Sequence, residues 1–413
     1  MGVFVVLLIR PFEVPDPFTA GPQWSWTIVC LAAAAAVLLP QLLAGARSST
    51  ALRLPLLAYV AACVVTSVTG VDRANSVMWL LALAGNVGVF ATAVCVARRV
   101  RWMPEAFFCF LLAAITLLLL MATAYHAEVG LLARPKAYPA PEGWSGYPEL
   151  ATLGAVHFAL VVAAWQAQKR AAGAAGAALL LALSLAALAL LYSRGAWIAV
   201  AAIGGVAGLL MLRRGHLTHV LVGLVIILGL TSALVRESPT LRHLLSGGGG
   251  ATIGGHSIEV ATPDMRFQLW TRTRRMIADR PLLGVGPGNF QQVFEVQYNP
   301  ELNSDGRRGV HAHNDWLQQF AELGVPGGIT YLLLWSVVFR LAWTRARREH
   351  QFGSVAVLLS LIALAASNVT TNMFFSTGAG SGRLHSLAWL LFGLAAASGP
   401  SLGPAATPGS RKK

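Results

Sequence analysis

Acidic residues are scarce in this chain. Asp and Glu together number 17 among 413 residues, and no DxD-like pair occurs. The scarcity removes the oxygen ligands that would hold a divalent metal on a diphosphate. It also removes the intramembrane carboxylates that ion-coupled carriers place near the bilayer midplane. Internal repeats, common in such carriers, are absent too, so a secondary transporter or flippase is disfavoured. Cysteine is rarer still. Cys30, Cys63, Cys95 and Cys109 lack metal-ligand spacing and fall in apolar stretches, which excludes cysteine chemistry and disulfides and leaves small packing residues. The opening MGVFVVLLIRPFEVPDPF has neither the basic start nor the small-residue cleavage site of a signal peptide. Interrupted by Arg10, Glu13, Asp16 and prolines, it is expected to be a short or broken first span.

What the chain has in abundance is apolar length. Hydrophobic residues make up 56% of it and charged residues only 12%. Membrane-spanning runs are expected near 24–44, 51–70, 76–97, 103–125, 149–167, 171–193, 195–212, 216–235, 324–343, 352–375 and 384–400. With the opening segment these make about twelve spans, an all-α polytopic membrane protein. Nine lie within 1–235 and three within 324–400, with a long connection at 236–323 and a disordered-looking tail at 401–413.

Basic residues orient this bundle, because short cytoplasmic loops retain Lys and Arg. They fall in every second connection: Arg47 and Arg53; Arg98, Arg99 and Arg101; Lys169 and Arg170; Arg213 and Arg214; Arg340 to Arg348; and Arg411 to Lys413. Both termini are therefore expected in the cytoplasm of a bacterial cell, with the 236–323 connection on the periplasmic side of the inner membrane. The net charge of +14 is a topology signal. It is not a nucleic-acid footprint, which would need basic residues gathered on one soluble surface with aromatics for stacking.

The unusual residues collect on the outer side. SGGGGATIGGHS at 246–257 is expected to be mobile. MRFQLWTRTRRMIADRPLLG at 265–284 has Phe267, Trp270, Met276 and Ile277 among arginines, as a helix lying on membrane lipids would, and it suggests a hinged lid. GVGPGNF at 284–290 follows no strand and precedes no Lys-Ser/Thr, so it reads as a turn closing that helix. Arg194 stands between two spans with no loop to hold it in water. It faces either a polar cavity with an anionic partner or the outer headgroups.

In RRGVHAHNDWLQQFAELGVPGG at 307–328, His313 shares a helical stripe with Leu317 and Phe320 and is expected to look inward. Asn314 and Asp315 suit a helix start, as cap and as first-turn acid. The same helix start beside arginines also suits an anion. A neutral His can take a proton from a hydroxyl, and arginines can hold a diphosphate leaving group. Together they describe transfer from a lipid diphosphate.

HAHNDWLQQFAELGVPGG resembles the His-Asn-x-x-Leu-Gln…Glu-x-Gly-x-x-Gly signature of the O-antigen ligase and polymerase superfamily. MRFQLWTRTRRMIADRPLLGVGPGNF resembles the segment that precedes it, and YSRGAWIAV the Ser-Arg-Gly helix start. The likeness is nearest to the O-antigen ligases. It implies a C-type (GT-C) glycosyltransferase fold and a cofactor-free, metal-independent, inverting reaction. An undecaprenyl-diphosphate-linked O-antigen donor would be joined to a lipid A-core acceptor, completing lipopolysaccharide in the periplasm. His313 then matches the family's essential histidine, a general base toward the acceptor hydroxyl. Arg194 and Arg266 match its essential arginines, expected to bind the diphosphate. His311 and Asn314 hold supporting places, and Glu322 either stands behind the site or serves the helix surface or a cap. An O-antigen polymerase is the nearest alternative. A protein O-oligosaccharyltransferase usually carries a further C-terminal domain, and the short tail here points away from it.

Overall fold

The structure, a computed structural model, describes residues 50–100, 102–129, 147–167, 171–191, 193–212, 251–253, 256–258, 263–299, 311–370 and 381–397. The spans expected at 24–44 and 216–235, the opening segment and the 401–413 tail lie outside them.

Apolar runs rich in Ala and Leu form helices wherever they were expected among these residues. They are α1 (Thr50–Thr69), α2 (Arg73–Arg99), α3 (Met103–Val129), α4 (Tyr147–Ala167), α5 (Ala171–Leu190) and α6 (Arg194–Leu212). After a short antiparallel pair, β1 (Ala251–Ile253) and β2 (His256–Ile258), come α7 (Pro263–Asp279), α8 (Phe290–Val293) and a π-turn at Phe294–Tyr298. The chain closes with α9 (Asp315–Glu349), α10 (Phe352–Ser367) and α11 (Ser381–Ala396). The β pair overlaps the end of the glycine-rich 246–257 stretch and gives 251–253 and 256–258 a paired backbone.

Among the described residues, six helices are long and apolar enough to cross a membrane: α1, α2, α3, α4, α6 and α9. α5, α10 and α11 contain shorter apolar segments. This is a polytopic helical membrane protein. α10 packs on α4 and α6, α9 on α1, and α11 on α2. Tyr59, Phe108, Phe158, Tyr331, Trp335 and Phe392 fill the space between them. Leu54, Val65 and Val68 on α1, Leu117 and Leu120 on α3, and Ile329 and Leu333 on α9 point away from that core. Such apolar surface is at home against lipid, where it loses nothing by being uncovered.

The sequence suggested a helix start at Asn314–Asp315 and a span opening at Gly324; α9 begins at Asp315 and runs through a break at Gly324 into its apolar part. Its first turns bury Gln318, Gln319 and Glu322 against protein, so no hydropathy signal marks them. The helix is broken at Gly324, where φ is 70° and ψ 178°. A side chain there would be strained by that φ and would also strike the backbone of Leu282. Pro326 follows in the first turn after the break, where a missing N–H does no harm.

The break frees backbone groups, and the GVGPGNF turn takes them up. Val285 N donates to Ala321 O (3.1 Å), Gly286 N to Glu322 O (2.9 Å), and Val325 N to Pro281 O (2.7 Å). The same turn is stitched to the start of α2. Val71 N donates to Val285 O (2.9 Å), Asn75 Nδ2 to Gly288 O (2.7 Å), and Asn289 Nδ2 to Asp72 O (3.1 Å). Irregular backbone beside a membrane requires such complete pairing. The turn is thus the joint between α2, α7 and α9.

Candidate active site

α7 carries Arg266 and Trp270 one helical turn apart, on one face. Trp270 Nε1 donates to Ala312 O (3.0 Å) and pins the His311–His313 segment against that face. Behind it lies a small separate core of Leu269, Met276, Val285, Phe290, Val293, Phe294, Ala312 and Ala321. Arg272 donates to Tyr298 O (3.3 Å) and to Asn299 Oδ1, and Tyr298 Oη donates to Asp279 Oδ2 (2.6 Å). The helix expected as a hinged lid is therefore strapped lengthwise to the π-turn and to α9. Arg272 serves that strap, and exposed Arg274 donates to Thr271 Oγ1 (3.2 Å).

His313 differs from its expected setting. It precedes α9 rather than sharing the helical stripe, holds a left-handed φ of 46°, and is exposed to solvent. Asn314 ends the helical pattern: its Oδ1 caps α9 by accepting from Leu317 N (3.1 Å). Solvent reaches His313, yet it sits within a dense surround of protein. That enclosure, and then the Arg266 guanidinium, hold its imidazole down at about 4. At neutral pH it is an uncharged base facing a cation.

His311 is half-buried beside it. Burial first and His313 second lower its imidazole to about 4, with Glu295 acting in the opposite direction. Its Nδ1 has no hydrogen-bond partner among the described residues.

The α9 N-terminus is not an open anion site. Asp315 N donates to Asn368 O (2.9 Å), Leu317 N is capped, and Gln318 N donates to Asn314 O (3.1 Å). The Asp315 carboxylate is buried and accepts from Tyr331 Oη (2.8 Å). Asn314 thus caps the helix, and Asp315 is its first-turn acid, tied to Tyr331.

Arg194 is the first residue of α6, after Ser193, whose Oγ accepts from Ala196 N (3.4 Å). Gly195 lies against Thr370 so closely that a Cβ would overlap the Thr370 hydroxyl and come within 3.2 Å of its Cβ. Thr370 and Asn368 belong to one turn at the end of α10. Through that turn the start of the Arg194 helix meets the start of α9, two residues beyond His313. Three elements distant in sequence thus bring Arg194, Arg266 and His313 to one region.

Glu322 lies elsewhere. It is buried about 10 Å along α9 from Asp315. Gln318 Nε2 donates to its Oε1 (3.1 Å), and the backbone amides of Gly288 and Phe290 face the carboxyl. Of its two expected roles it fills a capping one, at the glycine turn. Sequence reasoning missed the α10 turn, although its polar SNVT, at 367–370 after an apolar run, was a signal that could have marked it.

The family model described as O-antigen ligase matches residues 177–332, from α5 into α9. Among curated proteins none matches the chain.

Proposed function

From the chain's membership of the O-antigen ligase and polymerase superfamily, carried by residues 177–332, we propose that it is an O-antigen ligase of the bacterial inner membrane. It moves a glycan from undecaprenyl diphosphate to the lipid A-core on the periplasmic side. The observation that carries this reading is the placing of the exposed His313 at the α9 cap, pinned to the Arg266 helix through Trp270 and Ala312, where the starts of α6 and α9 meet the end of α10.

The reaction needs little else. His313 takes the proton of an acceptor hydroxyl as that oxygen attacks the anomeric carbon from the face opposite the diphosphate. The new C–O bond forms with inversion while the bond to the diphosphate oxygen breaks. Undecaprenyl diphosphate leaves with the electron pair. Arg266, with Arg194, offsets the charge that grows on that leaving oxygen, in the way guanidinium pairs bind phosphates. This division of labour uses His for the carboxylate base and arginines for the metal, which accords with a chain so poor in acids. The fold is proposed to be of the C type, with about twelve spans and both termini cytoplasmic.

Purified protein supplied with lipid-linked glycan and core acceptor is expected to form product on lipid A and release undecaprenyl diphosphate, without nucleotide and in the presence of a chelator. His313→Ala is expected to lower turnover by about 10² to 10⁴. Full activity of that variant would remove the catalytic assignment. Arg194→Ala and Arg266→Ala are expected to weaken donor binding, and unchanged affinity in both would remove the diphosphate role. Product found only as longer lipid-linked glycan would identify a polymerase instead.

A further inference from the structure

The turn at the end of α10 holds an amide without a hydrogen-bond partner among the described residues. Asn368 is fully buried, and neither its Nδ2 nor its Oδ1 has a hydrogen-bond partner among the described residues. Its backbone, in contrast, is fully committed: the N–H donates to Leu364 O (2.9 Å) and the carbonyl accepts from Asp315 N (2.9 Å). The side chain is held in place by a turn that gives it no partner.

A buried amide with both ends unmet is unfavourable in any interior, and an apolar side chain of the same size would serve packing better. The group gains when something polar arrives. Its location says what that is. Asp315, on its carbonyl, stands two residues from His313; Thr370, in the same turn, lies against Gly195, the neighbour of Arg194. Asn368 therefore sits at the junction of the Arg194 helix start and the α9 start, next to where the expected donor would lie. A phosphate would use only the NH₂ group. A sugar hydroxyl accepts and donates, and matches an amide whose donor and acceptor are both unmet.

We propose that Asn368 is a substrate ligand of the transfer reaction, its amide hydrogen-bonding hydroxyl groups of the sugar that is attached to the diphosphate. The proposal rests on the glycosyl-transfer reading above.

The test compares Asn368→Leu with the unaltered protein in three measurements: thermal unfolding, binding of undecaprenyl diphosphate, and binding of the glycan-bearing donor. The expected result is an unfolding temperature equal to or above that of the unaltered protein and unchanged binding of the bare lipid diphosphate. Glycan-donor binding should be roughly tenfold weaker. If the variant binds both lipids as the unaltered protein does, Asn368 is a packing residue and the proposal falls. Equal weakening toward both lipids assigns the amide to the diphosphate and overturns the sugar contact. Should the unaltered protein bind neither lipid, the glycosyl-transfer reading itself fails, an outcome visible before any variant is compared. If Asn368→Leu does not fold, Asn368→Ala takes its place in the same comparison.

Discussion

His313 is a protein-enclosed base that feels the permanent charge of Arg266, and this setting governs the pH behaviour expected of the site. Burial first, and the neighbouring Arg266 cation second, disfavour the imidazolium, so the His313 pKa of about 4 lies below the ordinary histidine value of about 6.5. The neutral, proton-accepting form persists through mildly acidic pH, and kcat/KM is expected to fall only as pH approaches about 4. Removing the cation works in the opposite sense. Arg266→Ala is expected to move this acid limb upward toward 6.5, measured as a pH–rate profile, apart from its effect on donor affinity; an unmoved limb would mean that Arg266 does not act on His313. The residues themselves were legible: two histidines beside an amide and a carboxylate stand out in so acid-poor a chain. Their roles were less so. The helical stripe drawn through His313, Leu317 and Phe320 ran one turn too far, because Asn314 had the makings of a cap but nothing in the periodicity required the helix to stop there.

Among elements, the spans were plain because long apolar runs have few other fates, and the arginine-rich helix announced itself by its mixed face. What joins them was not plain. The stitches from the 285–289 turn to Val71, Asp72, Asn75 and Ser76 cross more than 200 residues of sequence, and each is an ordinary polar contact that no local pattern foretells. Likewise the first turns of α9 hide polar residues inside the protein, so hydropathy does not mark them, and only the Asn314–Asp315 start signal did. The α6–α10 contact is open to a direct check. Gly195→Ala is expected to lower stability by about 1–3 kcal/mol through overlap with Thr370 and to depress turnover. Thr370→Ala in the same chain removes the overlapping hydroxyl and is expected to restore much of the unfolding temperature. If the second change restores nothing, the two helix ends do not meet as described.

For the molecule as a whole, the alternation of basic connections was the strongest guide to orientation, since it depends on composition alone. In a background without its native cysteines, a cysteine at Arg274 is expected to react with a membrane-impermeant thiol reagent applied from the periplasmic side. One at Arg347 is expected to react only after the membrane is opened. Both sites are exposed, so burial would not mask the result. Labelling in the reverse order would invert the whole bundle and place the site on the cytoplasmic face.

The helix that carries His313 just before its cap is also long and apolar enough to cross the membrane. α9 runs 35 residues, roughly 50 Å of rise against a hydrocarbon layer of about 30 Å, and the glycine turn clamps its one break. A clamped break cannot absorb a change of tilt, so the helix is expected to act as a lever with His313 near its N-terminal end. Thinner or thicker bilayers alter span tilt. Turnover in nanodiscs is accordingly expected to pass through an optimum as acyl chains lengthen, making the enzyme's rate a gauge of the membrane in which it sits.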